Sequence, residues 1–307
     1  MKRMKRPARA VGIAAGLLGL TMGVAACGSE EGDSDTAAGG GDTSCDSVTL
    51  GIIPAWTDGL STAYLWKDVL EREGYSVEIQ DVSEAAPLYT GLANGDIDVY
   101  PSAWPEVTHA AYMDEYGDDI EDVAAYYEGA KLTFAVPEYT EIDSIDELKG
   151  NGDMFDGKII GIEPGAGLTK VTKDSVIPTY ELDDEYNLVE SSTTAMLAEL
   201  RKATRAEDDI VVTLWKPFWA NNEFPVKTLE DPEGALGEAE ALHILARDGF
   251  GDECGDAADM MANLSLDDEQ YGSLENLVVN EYGQGKEAEA VNAWLEENPD
   301  VLESLKG

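Results

Sequence analysis

The chain has 307 residues, of which 43% are hydrophobic, so it is long enough to bury a sizeable core and is not a disordered tail. It carries 63 acidic and 20 basic residues, and the resulting net charge of −43 leaves no basic patch for a phosphate backbone. These values argue against nucleic acid as a partner, and the length favours two α/β lobes. The acidic residues are spread along the chain, as on a solvated, repulsive surface.

The N-terminus has the features of an export signal. Five basic residues within residues 2–9 precede an apolar run, residues 11–24, that is too short for a comfortable membrane span. Small residues then lead to Cys27 in the tetrad Val24-Ala25-Ala26-Cys27, which resembles the bacterial lipobox. We therefore expect a signal peptide over residues 1–26 and an extracytoplasmic protein anchored to the cell membrane by a lipid on Cys27. Removal of the signal peptide would take away five positive charges and change the net charge from −43 to −48.

The next segment and the remaining cysteines set the boundaries of the folded part. Residues 27–47 are rich in Gly, Ser, Thr, Asp and Glu, which predicts a flexible tether. Two further cysteines, Cys45 and Cys254, remain in the exported chain. Because they lie outside the reducing cytoplasm and are even in number, we expect one disulfide between them. Only His109 and His243 are available as imidazole ligands, without close Cys/His spacing, and we expect neither a metal nor another cofactor.

Apolar periodicity predicts alternating strands and helices in the first part of the mature chain. Helical spacing of apolar residues places Trp66 in the core, and Gly74 is a typical helix stop. An alternating order of this kind favours a parallel sheet with right-handed crossovers. We predict strands over residues 48–53, 76–82 and 97–100 and helices over residues 60–73 and 86–93.

The alternation continues through the middle of the chain. Ser144 and Glu147 have the spacing of a capping box, which predicts a short helix over residues 142–148. The β-branched, apolar run over residues 210–214 is followed by Pro217 and is typical of a buried strand. We further predict strands over residues 131–136 and 158–162, a helix that begins at residue 169, and a helix over residues 191–205.

The last part of the chain is predicted to return to the first lobe and to end in helices. An extended segment over residues 239–246 precedes helices over residues 254–264, 266–281 and 286–297. Trp294 belongs to an apolar stripe of the last of these helices. We divide the mature chain into a discontinuous lobe I, residues 48–136 and 239–307, and a lobe II, residues 137–238.

Tryptophans follow three of the predicted strands. Trp56 and Trp104 come shortly after the first and third strands, and Trp215 and Trp219 follow the strand at residues 210–214. A tryptophan after a strand is most often part of a core, but ligands of open α/β sheets bind where the carboxyl ends of strands converge. Several indole faces at converging loops suit a cation without N–H donors, namely a quaternary ammonium.

A glycine-rich turn links the strand at residues 158–162 to the following helix. The turn reads Glu163-Pro164-Gly165-Ala166-Gly167-Leu168. Backbone N–H groups at the start of the helix are free there and attract an anion. The alternative is that the turn only needs the conformational freedom of glycine, and the motif alone does not decide between the two.

These features together resemble the substrate-binding lipoproteins of ABC importers for glycine betaine and related compatible solutes. The resemblance rests on the glycine-rich turn, the tryptophans after three strands and the run SAWPEVTH from Ser102 to His109, and it covers the chain from about residue 48 to the end. It implies the two-lobed α/β fold of type II periplasmic binding proteins. In this fold each lobe is a mainly parallel sheet flanked by helices, and the ligand cleft lies between the lobes.

The resemblance also implies which residues bind the ligand. In the family an aromatic box holds the trimethylammonium group, while backbone amides of the glycine-rich turn and a histidine hold the carboxylate. Another aromatic side chain lies beside the box. Matched by position, the box walls are Trp56, Trp104 and Trp215, the carboxylate-binding residues are Gly167, Leu168 and His109, and the neighbouring aromatic is Trp219.

Two of these positions leave alternatives open. Lys216 precedes Pro217 where the family often has a neutral residue, and a cation pointing into the box would disfavour a cationic ligand. His109 is interpreted either as a ligand of the carboxylate, from its spacing to Trp104, or as an ordinary helix residue.

The implied function is capture of glycine betaine or a related betaine and its delivery to an ABC permease and ATPase for osmoprotectant uptake. The alternatives are a choline- or carnitine-binding importer subunit and a solute sensor of the same fold. The carboxylates fall in no motif typical of glycosidases, and no Ser or Cys lies in a nucleophile elbow, so we do not expect an enzyme. Betaines should bind more tightly than choline, which has no carboxylate for the donors to bind.

Overall fold

The computed structural model describes residues 45–306. The predicted signal peptide, Cys27 and most of the predicted tether lie outside the described residues. The strands are β1 (Ser47–Ile52), β2 (Ser76–Asp81), β3 (Val99–Ala103), β4 (Ile120–Pro137), β5 (Lys158–Ile160), β6 (Asn187–Val189), β7 (Val212–Lys216), β8 (Val226–Thr228) and β9 (Glu240–Arg247). The α-helices are α1 (Thr57–Glu73), α2 (Ala85–Ala93), α3 (Ala110–Tyr116), α4 (Gly167–Val171), α5 (Ile177–Thr179), α6 (Thr193–Ala206), α7 (Ala220–Glu223), α8 (Phe250–Glu253), α9 (Gly255–Ala262), α10 (Asp268–Asn276), α11 (Glu287–Glu297) and α12 (Pro299–Ser304).

The strands form one sheet in the order β2-β1-β3-β9-β4-β7-β5-β6, with β8 also paired to β4. Parallel ladders join β1 to β2 and β3, and join β5 to β6 and β7. The ladders that involve β4 and β9 are antiparallel. Both ends of the sheet are therefore parallel, as predicted for an α/β protein, and the antiparallel ladders lie in the middle, where the chain crosses between the two halves.

Strand β4 belongs to both halves of the sheet. It pairs with β9 from Ile120 to Ala130, in what we call the first half-sheet, and with β7 and β8 from Lys131 to Pro137, in the second half-sheet. The sequence predicts only residues 131–136 as strand, because the earlier part contains acidic residues and Gly129 and lacks a strand-like apolar pattern. The chain thus passes from one half-sheet to the other inside a continuous strand.

Helix α1 begins three residues before its predicted start, at Thr57. Its N-cap residue is Trp56, which makes no side-chain capping bond. Because tryptophan is not a preferred N-cap residue, the sequence has no start signal at this position. The helix ends at Gly74, whose φ of 101° lies in the left-handed region that glycine tolerates. Trp66 is fully buried, which confirms its predicted place in the core.

Two other predicted helices differ from the structure in type or length. The segment at residues 142–148 is a single 3₁₀ turn over Ile145–Leu148, and the predicted capping box of Ser144 and Glu147 is present. The helix predicted over residues 266–281 is α10, which continues as a π-helical segment over Leu277–Tyr282.

The C-terminal part returns to the first half-sheet. The predicted extended segment is strand β9, which inserts between β3 and β4. Helices α10 and α11 contact α1, and α8 and α9 contact β4. Trp294 is fully buried on α11, as its apolar stripe predicts.

A disulfide joins Cys45, just before β1, to Cys254, which lies between α8 and α9. The two Cα atoms are 5.1 Å apart. The bond ties the beginning of the described chain to the C-terminal helices. Within residues 45–306, none of the helices has the length and apolar character needed to cross a membrane.

Candidate ligand-binding site

A cavity lies where the segments after β1, β3 and β5 meet the end of β7. The cavity is small, with a volume of about 30 Å³ for the centres of water molecules. Because β1 and β3 are both paired in parallel ladders, as are β5 and β7, their carboxyl ends converge on this point. The residues that line the cavity are Trp56, Asp58, Trp104, Thr108, His109, Leu132, Ile162, Ala166, Gly167, Leu168 and Trp215.

The three tryptophans predicted as walls all line this cavity. Trp56 is 8% exposed, and Trp104 and Trp215 are each 5% exposed, so the cavity brings together side chains that are far apart in sequence. Trp215 is supported from behind by Phe218, with ring centroids 4.0 Å apart and planes 25° apart. Largely buried indoles around a small cavity are the arrangement that a desolvated cation requires.

Two of the three indoles are anchored by buried carboxylates. The Nε1 of Trp104 donates to Asp58 at 3.0 Å, and the Nε1 of Trp56 donates to Glu163 at 3.2 Å. Glu163 also accepts from the backbone N–H and the hydroxyl of Thr193, at 2.9 and 2.8 Å, at the start of α6. Each anchoring bond fixes the rotation of its indole ring, and each carboxylate adds negative charge close to the ring.

Asp58 is a cavity residue that sequence reasoning missed. It is buried and also accepts a hydrogen bond from the Ser102 hydroxyl at 2.8 Å. Burial raises the pKa of Asp58, while the bonds from Trp104 and Ser102 lower it. The sequence feature that could identify it is its place in the first turn of α1, two residues after Trp56. One aspartate, however, is inconspicuous among 63 acidic residues.

His109 faces the same cavity and is 2% exposed. Its Nδ1 accepts the backbone N–H of Trp104 at 3.2 Å, so in the neutral ring the proton is carried by Nε2. Burial lowers the pKa of His109 to about 3, which keeps the ring uncharged at neutral pH. The ring stacks on Trp56, with centroids 6.0 Å apart and planes 19° apart. His109 is therefore a neutral hydrogen-bond donor beside a wall of the cavity.

The glycine-rich turn also lines the cavity. Helix α4 begins at Gly167, and Ala166, Gly167 and Leu168 all line the cavity. The N–H groups of Gly167 and Leu168 lie in the first turn, where the helix itself offers no acceptor. The arrangement therefore presents backbone donors together with the His109 donor.

A third buried carboxylate organises the loop that carries His109. Glu240, the first residue of β9, accepts the backbone N–H groups of Glu106, Val107 and Thr108 at 3.0 to 3.1 Å. Burial raises the pKa of Glu240, and these hydrogen bonds oppose the shift. Sequence reasoning missed this residue as well, because its partners lie far away in the chain.

Trp219 and Lys216 do not line the cavity. Trp219 is half-buried and packs on Phe218 and Phe224, with centroid distances of 5.7 and 5.9 Å. Both residues line a separate surface groove that also contains Lys131, the cross-strand partner of Lys216. Burial and the charge of Lys131 lower the pKa of Lys216. The lysine that departs from the family pattern is thus directed away from the candidate box.

The described residues contain no cluster of three or more side chains suited to a metal ion. His243 is engaged with Asp122, with Nδ1 2.8 Å from Oδ1. The site is therefore built from indoles, backbone N–H groups, one neutral imidazole and buried carboxylates.

A family of known function matches most of the chain. The substrate-binding domain of the ABC-type glycine betaine transport system matches residues 46–297. The glycine betaine/carnitine transport binding protein GbuC of Listeria monocytogenes is 33% identical over 163 residues, which are 53% of this chain and 53% of that protein. The chain thus matches about half the length of this curated relative.

Solved structures with the same fold include complexes with two different ligands. Lactococcal OpuAC in its closed-liganded conformation, complexed with glycine betaine, is 26% identical with a TM-score of 0.78, and the match covers 85% of this chain and 100% of that one. An ABC-transporter choline binding protein in complex with choline is 28% identical with a TM-score of 0.76, and the match covers 85% of this chain and 91% of that one. The fold therefore occurs with a betaine and with choline as ligand.

Proposed function

Since the chain belongs to the family of substrate-binding domains of ABC-type glycine betaine transport systems, we propose that it captures glycine betaine or a related betaine and delivers it to an ABC permease. The observation that supports this most is the cavity itself. Trp56, Trp104 and Trp215 line it together with the donors of the glycine-rich turn and His109. A zwitterion with a trimethylammonium head and a carboxylate tail offers a partner to both the indoles and the donors.

The indoles are needed because the head of the ligand is a trimethylammonium group. It has no donor, so hydrogen bonds cannot compensate the cost of removing it from water. Aromatic faces contribute up to about 2 kcal/mol each when desolvated, or roughly 6 kcal/mol for three. Micromolar affinity requires about 8 kcal/mol net of the association cost. The carboxylate end must therefore contribute the remainder.

We assign the carboxylate to Gly167, Leu168 and His109. The two backbone N–H groups are without intrahelical acceptors, and the Nε2–H of the neutral imidazole is free to donate because Nδ1 is already an acceptor. Hydrogen bonds from these groups to a carboxylate are charge-assisted and about twice as strong as neutral ones. Choline, which ends in a hydroxyl, would leave these donors without a charged partner.

A choline-binding importer subunit is the second candidate, and Asp58 is the observation that favours it. Its carboxylate lies in the cavity wall and attracts a ligand with a net positive charge more than it attracts a zwitterion. Losing a charge-assisted hydrogen bond costs about 1.5 to 3 kcal/mol, which weakens binding roughly tenfold to a hundredfold. We expect this loss to outweigh the attraction of Asp58 for choline.

Calorimetric titration with glycine betaine, proline betaine, choline and free proline tests this order directly. Both betaines should bind at least about tenfold more tightly than choline, and free proline should bind weakest. His109→Gln should weaken the betaines more than choline, since choline offers this donor only a neutral hydroxyl acceptor. Equal affinity for choline and glycine betaine would contradict the carboxylate assignment, and binding of sugars or amino acids alone would contradict the box.

We further propose that the mature protein is extracytoplasmic and held at the cell membrane by a lipid on Cys27. The lipobox-like tetrad supports this proposal. Cys27→Ser should abolish lipid labelling and release the protein from the membrane, and unchanged palmitate labelling of this variant would contradict it. Neighbouring genes for a permease and an ATPase would separate an importer subunit from a solute sensor.

We also propose that lobe I (residues 48–136 and 239–307) and lobe II (residues 137–238) close on the ligand. The hydrogen bond from Trp56 to Glu163 joins the two lobes, which supports a closed arrangement. Small-angle scattering should show a smaller radius of gyration with glycine betaine than without it. Identical profiles would count against closure.

A further inference from the structure

Both polar groups of Gly165 are bound by side chains from lobe I. The hydroxyl of Tyr112 donates to the Gly165 carbonyl at 2.7 Å, and the Gly165 N–H donates to Glu84 Oε2 at 3.2 Å. A methyl carbon added to Gly165 would lie 2.7 Å from Glu84 Oε2 and 3.7 Å from the Tyr112 hydroxyl. A larger residue at this position would therefore displace the carboxylate of Glu84.

The polar atoms of neither side chain are used within its own helix. Glu84 is the N-cap residue of α2 but makes no side-chain bond to that helix, although N-cap side chains commonly do so. Its carboxylate binds across the cleft instead. Tyr112 on α3 is half-buried and stacks on Tyr89, with ring centroids 4.9 Å apart and planes 11° apart. Stacking reduces the freedom of the Tyr112 ring before it meets Gly165.

Gly165 is coupled through a short, bonded turn to the groups assigned to the ligand carboxylate. The N–H of Ala166 donates to the Glu163 carbonyl at 3.0 Å, and Gly167 follows immediately as the first residue of α4. Neither Glu84 nor Tyr112 lines the cavity. Both side chains bind the turn at Gly165 without lining the cavity.

We propose that Glu84 and Tyr112 are positioning residues that hold the glycine-rich turn against lobe I and thereby set how long a ligand stays bound. The inference rests on the proposed function, since it concerns the residence time of a quaternary ammonium ligand in this cavity. The two bonds join lobe I to lobe II, so they form only when the lobes are together. Their loss should accelerate ligand release and leave the association rate unchanged.

Stopped-flow tryptophan fluorescence with glycine betaine measures both rates. Tyr112→Phe removes a neutral hydrogen bond and should raise the dissociation rate about twofold to tenfold. Glu84→Ala removes the carboxylate acceptor and should raise the dissociation rate about tenfold. Glu84→Gln keeps an oxygen acceptor, so its dissociation rate should stay close to that of the wild type. Association rates should stay within about twofold, and the melting temperature of the ligand-free protein within about 2 °C.

Tyr116→Phe is the matched control. Tyr116 lies on the same helix, but its hydroxyl bonds to Thr90 within lobe I at 3.2 Å. This variant should release glycine betaine at the wild-type rate. The inference is overturned if Tyr112→Phe and Tyr116→Phe release ligand equally fast, or if Glu84→Ala changes only the association rate. If the wild-type protein binds no quaternary ammonium compound, the proposed function itself is refuted. If the wild type binds glycine betaine and the Tyr112 and Glu84 variants release it at the wild-type rate, only this inference is refuted.

Discussion

The carbonyl oxygen of Thr108 lies against Gly167, so close that a methyl carbon added to Gly167 would be 1.9 Å from that oxygen. Thr108 belongs to the loop after β3, and Gly167 to the glycine-rich turn after β5. No side chain fits between them, because the obstacle is backbone on one side and the first turn of a helix on the other. The contact requires glycine for close approach and not for a left-handed backbone conformation.

Gly167→Ala should therefore prevent the glycine-rich turn and the Thr108 loop from reaching their present separation. Overpacking of this kind typically costs about 1 to 3 kcal/mol, which predicts roughly fivefold to hundredfold weaker binding of glycine betaine by calorimetry. Gly272→Ala is the control, since a methyl carbon at Gly272 meets no atom within 4 Å. Wild-type affinity in Gly167→Ala would mean that the bound state does not use this contact.

The aromatic walls make a second prediction. Replacing Trp56, Trp104 or Trp215 with alanine should each weaken glycine betaine by about 2 kcal/mol, or roughly thirtyfold. Trp219→Ala should leave the affinity unchanged, because Trp219 does not line the cavity. Unchanged affinity in Trp215→Ala would remove β7 from the site.

Trp66→Ala separates a stability effect from a binding effect. Trp66 is fully buried in α1, away from the cavity, so its truncation should lower the free energy of unfolding by about 3 to 5 kcal/mol. Binding by the fraction that remains folded should be normal. Chemical denaturation and calorimetry on the same preparation distinguish the two effects.

Glu275 predicts an unusual dependence of stability on pH. Burial first, and then the charge of Asp58, raise the pKa of Glu275 from 4.5 to about 8, against a hydrogen bond from Thr57. The folded state therefore keeps a proton that the unfolded state releases above about pH 4.5. The stability that this proton provides is complete below that pH and is lost as the pH rises towards 8, by up to about 1.4 kcal/mol per pH unit.

Glu275→Gln should remove this dependence. The variant should unfold at a higher urea concentration than wild type at pH 8, and the difference should shrink towards pH 4.5. Glu269→Gln, at an exposed position of the same helix, is the control. Parallel pH profiles for wild type and Glu275→Gln would contradict the protonated state.

The low pKa of His109 predicts that its ring does not make ligand binding depend on pH near neutrality. With its pKa lowered from 6.5 to about 3 by burial, the ring stays neutral throughout pH 5 to 8. The imidazole should therefore add no pH dependence to glycine betaine affinity over that range in a titration series. A rise in affinity below pH 6.5 would show that the imidazolium binds the carboxylate and that the ring is less buried in solution.

The neutral ring also has a cost at low pH. Unfolded chains protonate this histidine below about pH 6.5, whereas the folded chain does so only near pH 3. Stability due to the neutral ring is therefore present above pH 6.5 and decreases as the pH falls towards 3. His109→Gln should be less sensitive to acid than wild type in this interval.

The disulfide makes a prediction that concerns stability alone. Replacing Cys45 and Cys254 with serine should lower the free energy of unfolding by about 2 to 5 kcal/mol. Neither residue lines the cavity, so glycine betaine affinity should not change. Mass spectrometry without reductant should find no free thiol at either position in the exported wild-type protein.

The sequence predicts well what depends on local pattern. Strands, helices and their order follow from apolar periodicity, and Trp56 and Trp104 follow from their places after strands. Trp215 is predicted just after a strand over residues 210–214 and lies within β7. It does not predict the first part of β4, whose pairing with β9 overrides a weak local preference. Sequence patterns also do not identify Asp58, Glu163 and Glu240, for a different reason. Burial makes them distinctive, and burial depends on contacts between distant segments that composition does not show.

The covalent link between Cys45 and Cys254 also determines where a mechanical load on the N-terminal segment enters the fold. Strand β1 follows Cys45 and is hydrogen-bonded to β2 and β3, so a direct pull would act on those ladders. The disulfide gives that pull a second covalent path, to the helices α8 and α9 on either side of Cys254. A load applied at Cys45 is therefore shared between β1 and these helices.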